Sequence, residues 1–282
     1  MRIDQFIYHS SQLIESSKAG DSARLDAELL LAEVLNKSRS YFYSHPEYLL
    51  SDKQLEMAQR LVELRCQGRP IAYLQGQKEF WSLSLAVNKG VLIPRPETEM
   101  LVEFALRLDL PANASVVDLG TGSGAIALAL ASEKKSWQIT AVENIDAALK
   151  VAKHNIETAA GKDFSSLYLI QANWLSAFAE HSFDLVIANP PYIDYDDPHL
   201  KQGDVRFEPS TALVSNEQGL ADIKSIALQS IHCLRPGGYL IIEHGCDQSQ
   251  QVKEILNKND FIGAQCHRDL SDNFRFVSAI KK

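Results

Sequence analysis

Up to Glu79 the apolar positions recur at helical spacing between polar caps. Asp21 and Ser22 are both good N-cap residues. After them Leu25, Leu29, Ala32 and Leu35 fall three or four apart, with Asp26, Glu28 and Glu33 between them, which predicts an amphipathic helix following Ser22. Ser51 and Gln54 have capping-box spacing ahead of Leu55, Ala58, Leu61, Val62 and Leu64, and Gly68-Arg69-Pro70 stops this second helix. From Phe80 to Val87 the period changes to about two, and Asn88-Lys89-Gly90 follows as a turn, so a β-hairpin connector is predicted. Beyond Thr98 short β-rich runs at 115–118, 139–142, 167–171, 183–188 and 239–243 alternate with helical stretches such as 146–158 and 220–234. Such alternation predicts a parallel sheet covered by helices on both faces, and 261–266 with 274–280 reads as a closing antiparallel pair.

The pattern divides the 282 residues into a helical unit at 1–78, a connector at 79–92 and an α/β unit at 93–282. Up to Glu79 there are ten basic against eleven acidic residues, and beyond it 18 against 25, so nearly all of the net charge of −8 belongs to the α/β unit. A negative unit of this kind disfavours a broad phosphate-binding footprint, and no direct nucleic acid contact is expected. No apolar run reaches the roughly 18 to 20 residues of a membrane span, and the first residues lack a secretory pattern. A cytoplasmic protein with no membrane partner is expected. Cys66, Cys233, Cys246 and Cys266 have no metal-ligand spacing and are expected as free thiols, and the eight scattered histidines predict no metal site.

The strongest local chemical signal is Val116-Val117-Asp118-Leu119-Gly120-Thr121-Gly122-Ser123-Gly124, running into an Ala/Leu-rich helix from Ala125. A strand ends, glycines permit a tight turn and close ligand approach, and a helix opens with unpaired N–H groups facing the crevice. Glu143 ends the next strand, where a carboxylate suits both hydroxyls of an adenosine ribose. NAD and S-adenosyl-L-methionine both fit these features. Asn189-Pro190-Pro191-Tyr192 follows the apolar strand 183–188 and lies at the carboxyl end of a parallel strand. The prolines make the loop rigid and supply no N–H. An Asn side-chain carbonyl and the Pro190 carbonyl at fixed separation suit the two donors of a planar –NH₂ group, with Tyr192 placed to pack against its plane.

Together these two motifs resemble class I S-adenosylmethionine-dependent methyltransferases acting on planar amide or exocyclic amino nitrogens. Three further segments, Ile93-Pro94-Arg95-Pro96-Glu97-Thr98-Glu99, Asp196-Asp197-Pro198-His199-Leu200 and Gly203-Asp204-Val205-Arg206-Phe207-Glu208-Pro209, with Arg69-Pro70-Ile71-Ala72-Tyr73 in the helical unit, resemble the peptide-chain release factor glutamine N5-methyltransferases, the PrmC/HemK family. The resemblance implies a Rossmann-like sheet behind a helical substrate-recognition domain, S-adenosyl-L-methionine as cofactor, and class-1 release factors as partners, methylated at the glutamine of their Gly-Gly-Gln motif. It implies that Gly120, Thr121, Gly122, Ser123 and Gly124 line the cofactor, Glu143 holds the ribose and Trp174 borders the adenine. Asn173 is then an acceptor for the adenine amino group. Asn189, which also borders the cofactor, grips the substrate glutamine with Pro190, Pro191 and Tyr192; Asn189, Pro190 and Tyr192 carry the catalytic roles. The family commonly has Asp at the position of Glu143 and an acidic residue at that of Asn173.

A glutamine of a ribosomal protein and an adenine amino group are rival substrates, and a binding module on a methyltransferase fold is the non-enzymatic alternative. Asp194, Asp196, Asp197 and Asp204 form either a solvated loop or a face for a basic protein segment. Arg95, Glu97, Arg206, Glu208, Glu243 and His244 are either site-lining groups or structural ion pairs.

Overall fold

The computed structural model describes residues 1–159 and 164–282. They form two units, one of Met1–Gln77 with Pro198–Phe207, the other of Lys78–Asp197 with Glu208–Lys282.

The first unit contains α1 (Ile3–Ser17), α2 (Ala23–Leu35), α3 (Arg39–Ser44), α4 (Asp52–Cys66) and α5 (Ile71–Gln75). Its core joins Ile3, Phe6 and Ile14 of α1 to Ala27, Leu30 and Leu31 of α2, Phe42 of α3, and Ala58 and Val62 of α4. The expected capping box of α4 is present at Ser51 and Gln54. The face of α2 differs from the stripe that its spacing predicts: Leu25 is exposed while Asp26 and Glu28 are buried. Each carboxylate has guanidinium partners: Arg65 Nε lies 2.8 Å from Asp26, and Arg39 and Arg24 hold Glu28 together with the Tyr43 hydroxyl. A charge enters a core only when paired, and the partners lie on other elements, outside any local periodicity. Arg65 also reaches Asp204 Oδ1 at 3.1 Å and the Arg69 carbonyl at 3.0 Å, while Arg206 donates to the Gln67 carbonyl. Asp204 therefore shares the single charge of Arg65 with Asp26 inside this unit.

The second unit begins with the hairpin β1 (Gln77–Phe80) and β2 (Leu83–Ala86). Its turn is Trp81-Ser82, both at positive φ (52° and 56°), inside the apolar run; the Asn88-Lys89-Gly90 turn lies beyond β2 and leads away from it. Left-handed φ at two residues matches a type I′ turn, but neither residue is the Gly or Asn that usually marks one.

Among the described residues, a seven-stranded sheet follows, in the order β5-β4-β3-β6-β7-β9-β8. The strands are β3 (Ser115–Leu119), β4 (Gln138–Glu143), β5 (Leu167–Gln171), β6 (Phe183–Ala188), β7 (Leu234–Glu243), β8 (Phe261–Arg268) and β9 (Phe274–Lys281). β3 to β7 pair in parallel and β9 is antiparallel to both neighbours, which is the expected Rossmann-like sheet with its closing pair. Its helices are α6 (Glu99–Arg107), α7 (Ala125–Glu133), α8 (Asp146–Thr158), α10 (Ala221–Cys233) and α11 (Ser249–Lys258). A single turn, α9 (Asn216–Gly219), precedes α10. Ala125 to Ala131 of α7 are all buried, as a helix apolar on every side requires. Two clusters, one per sheet face, bury the β3 and β6 side chains alternately: Val116, Leu185 and Ile187 on one side, Val117, Leu119, Val186 and Ala188 on the other. Among the described residues no His, Cys, Asp or Glu group converges as a metal site would, and no helix is long and apolar enough to cross a membrane.

Candidate functional site

β3 and β6 are neighbours, with β4 and β5 on one side and β7, β9 and β8 on the other. The connections leave this pair in opposite directions, which opens a crevice above its carboxyl ends, where open α/β sheets hold ligands. A cavity of about 390 Å³ lies there, entirely within the second unit.

One side of the cavity is the loop after β3. Gly120, Gly122 and Gly124 have φ of 68°, 58° and 86°, a region that other residues enter only at a cost. Asp118 lies buried beneath the loop; the Thr121 hydroxyl (2.5 Å) and the Ala127 N–H (3.2 Å) both donate to its Oδ2, so it staples the loop to the first turn of α7. Its Oδ1 has no hydrogen-bond partner among the described residues, and burial, with Glu143 nearby, pushes the carboxyl up to about 7. Asn155 of α8 donates to the carbonyls of Ser123 (2.8 Å) and Ala86 (3.0 Å) and accepts from the Ala86 N–H, tying the loop to β2. Glu143 ends β4 and accepts three N–H groups: Gly122 at 3.0 Å, Asn144 at 2.8 Å and Ile145 at 2.9 Å. A carboxylate has about four acceptor positions, so one further donor fits directly, and a second displaces an N–H group. The Trp174 ring covers Gly120, where an added Cβ would come within 3.2 Å of it.

The other side is built where β6 and β7 end. Their register pairs Ala188 with Ile242, so Asn189 and Glu243 emerge side by side. Asn189 Nδ2 donates to Thr98 Oγ1 (3.2 Å), Thr98 donates to Glu243 Oε2 (2.8 Å), and the Tyr192 hydroxyl lies 3.4 Å from Glu243 Oε1. Burial drives the Glu243 carboxyl up to about 7, against the opposing pull of these bonds and of Arg275. Arg95 reaches Glu208 at 2.5 Å, and Glu208 also accepts the Ile93 N–H.

Gly120, Thr121, Gly122, Ser123, Glu143, Asn173, Trp174, Asn189 and Pro191 therefore share one cavity. Gly124, which caps α7, Pro190 and Tyr192 do not line it. Tyr192 departs from the sequence expectation: its hydroxyl goes to Glu243, its ring packs on the apolar cluster of one sheet face, and its carbonyl is held by Gln248 Nε2 at 3.0 Å. It braces the loop from behind. Burial raises its phenol above the ordinary range. Arg95 lines the cavity while paired with Glu208; Glu243 is a buried bracing group; Arg206 stays in the first unit. His244 is buried, its Nδ1 against the Gly245 carbonyl and its Nε2 without a partner among the described residues. Thr98, Thr211, Ala212, Val214 and Asp222 also line the cavity. Thr98 was visible only as one residue of a longer motif, and the others carried no local signal.

A family model described as the PrmC N-terminal domain matches residues 9–76, and one described as the methyltransferase small domain matches residues 97–204. The release factor glutamine methyltransferase of Shewanella oneidensis is 46% identical over 262 residues, covering 93% of this chain and 91% of that protein. Its counterpart in Escherichia coli is 43% identical over 264 residues, 94% of each. Among solved structures, a methyltransferase from Pyrococcus furiosus superposes with a TM-score of 0.53 at 17% identity, over 71% of this chain and 89% of that one, a likeness of fold alone.

Proposed function

The chain belongs to the release factor glutamine methyltransferases, and from that premise we propose that it transfers a methyl group from S-adenosyl-L-methionine to the side-chain amide nitrogen of the Gly-Gly-Gln glutamine in a class-1 peptide-chain release factor. The observation that carries this reading is the Asn189 side chain. Its Nδ2 is committed to Thr98, and its Oδ1, in the same cavity as the glycine loop and Glu143, meets no donor among the described residues.

The residues present suit the cofactor. Glu143 offers an acceptor for a ribose hydroxyl, Trp174 an aromatic face, and the loop its left-handed glycines, with a Cβ at Gly120 crowding the Trp174 ring. When bound, S-adenosyl-L-methionine supplies an electrophilic methyl on a sulfonium. An amide nitrogen is a weak nucleophile because its lone pair is delocalised, so the protein's task is alignment and charge stabilisation. Asn189 Oδ1 accepts one N–H of the substrate –NH₂ and stabilises positive charge developing on nitrogen. The two prolines hold that acceptor still, and orientation of this kind supplies roughly 7 to 11 kcal/mol in favourable cases. Val91, Leu92, Pro94 and Pro191 give the same cavity an apolar side.

The test is incubation with labelled S-adenosyl-L-methionine and a purified release factor, followed by mass spectrometry of its Gly-Gly-Gln segment. One added methyl on the glutamine is the expected product. Label on a ribosomal-protein glutamine or on adenine, with the release factor unmodified, would replace this substrate by a rival.

A further inference from the structure

We propose that Thr98 and Glu243 are positioning residues for methyl transfer, which set the rotational state of the Asn189 amide so that its carbonyl, and not its –NH₂, faces the substrate. The proposal rests on the function given above and concerns what makes Asn189 competent for it.

The two ends of an Asn amide are nearly identical in shape and opposite in hydrogen-bonding character. Turned by half a revolution, Asn189 would present –NH₂ to the substrate –NH₂, two donors facing each other, and the acceptor would be lost. Something must distinguish the two orientations. Pro190 and Pro191 supply no N–H to do so, and the groups behind Asn189 are Thr98 and, beyond it, Glu243. Thr98 is buried, and its hydroxyl has a single proton. With Glu243 ionised, its Oε2 has no proton of its own and takes this one at 2.8 Å, so toward Asn189 the Thr98 oxygen can only accept. The group it meets, 3.2 Å away, is accordingly Nδ2, and Oδ1 is left for the ligand. Glu243 accepts at its other oxygen from Tyr192, so one carboxyl receives the hydroxyls of Thr98 and Tyr192 and braces both ends of the Asn-Pro-Pro-Tyr loop. The direction of the chain, Asn189 to Thr98 to Glu243, is imposed at its buried end. Glu243 is 3% exposed and does not line the cavity, so it acts only through its neighbours.

The experiment compares Thr98→Val, which keeps the shape and removes the hydroxyl, with Thr98→Ser, which keeps the hydroxyl. Each is measured alone and in an Asn189→Ala background by single-turnover methylation of the release factor. Cofactor affinity and thermal unfolding are recorded in parallel. Thr98→Val is expected to lower the methylation rate about ten- to hundredfold, the scale of one lost buried hydrogen bond, with cofactor affinity kept within about twofold. Thr98→Ser is expected to restore the rate to within about threefold of wild type, and Thr98→Val is expected to add nothing once Asn189 is Ala, because no amide remains to orient. Equal losses in Val and Ser, additive losses in the double variant, a loss of cofactor affinity matching the loss of rate, or an undiminished Val variant would each overturn the assignment. If Thr98→Val does not fold, Glu243→Gln takes its place, with the same non-additivity against Asn189→Ala required. An inactive wild type would fail the substrate reading itself and is thereby distinguishable.

Discussion

Glu143→Ala tests how much of the cofactor site is built by a single side chain. The carboxylate accepts three N–H groups in the folded chain, and hydrogen bonds to a charged acceptor are worth about 1.5 to 3 kcal/mol each. Asn144 and Ile145 are exposed, so water replaces the acceptor for those two N–H groups at little cost. The Gly122 N–H sits in the part-buried loop among three left-handed glycines, and its bond to Glu143 ties that loop to the end of β4. Losing it leaves a donor unmatched and frees a segment that must be ordered again on binding, at about 1 to 2 kcal/mol per residue fixed. With one ribose hydroxyl also unpaired, affinity for S-adenosyl-L-methionine is expected to fall by about 2 to 3 kcal/mol, roughly thirty- to 150-fold. Calorimetric titration measures that loss directly, and denaturant unfolding is expected to show a smaller fall in stability, about 1 to 2 kcal/mol. Glu143→Gln keeps one acceptor oxygen but turns an –NH₂ toward N–H donors, so it is expected to fall between wild type and Ala. An Ala variant that binds the cofactor within about twofold of wild type would refute the reasoning and place the ribose elsewhere.

Three further outcomes are expected. Asn189→Ala should reduce methylation strongly while calorimetry finds cofactor affinity nearly unchanged, because its side chain faces the substrate; an equal loss of affinity would overturn that role. The Asp118 and Glu243 carboxyls stand at about 7 in the fold against ordinary values of 3.8 and 4.5, so between these limits the unfolded chain releases protons that the fold retains. Stability is therefore greatest below about pH 4 as far as these groups are concerned and declines up to about pH 7, by an order of 3 to 4 kcal/mol for each. Asp118→Asn should flatten that decline, as read by denaturant midpoints across the range, and parallel curves for the two proteins would contradict it. Arg65→Ala should destabilise the helical unit by about 3 to 5 kcal/mol, because Asp26 is left buried with its charge unpaired and only the Ser22 hydroxyl donating to it; a helical circular-dichroism melt unchanged from wild type would show that water reaches that carboxylate.

Legibility along the chain followed the range of the forces involved. The strands of the sheet, the helices 146–158 and 220–234 and the capping box at Ser51 were readable because each depends on periodicity or on partners within a few residues. The hairpin turn at Trp81-Ser82 was not, since its left-handed residues are of types that rarely announce such a turn. The face of α2 was misread for another reason: Arg39 and Arg65 bring Asp26 and Glu28 into the interior from other helices. Tyr192 was read from the Asn-Pro-Pro-Tyr motif as packing on the plane of the substrate amide; the contacts that hold it against the sheet, its hydroxyl to Glu243 and its carbonyl to Gln248, come from 51 and 56 residues away and were not legible.

The sequence by itself determined the family, the parallel sheet and the two motifs that meet at its carboxyl edge, because a glycine loop and an Asn-Pro-Pro-Tyr turn are contiguous and state their geometry locally. Only the tertiary structure decided how those motifs are held. Asp118 and Asn155 fasten the glycine loop, and Thr98 and Glu243 stand behind Asn189, at separations of 91 and 145 residues along the chain from one partner to the next. Such contacts arise from strand register and burial, which bring groups together irrespective of sequence distance. The sequence thus named the acceptor for the substrate amide, and the packing around it decided which way that acceptor points.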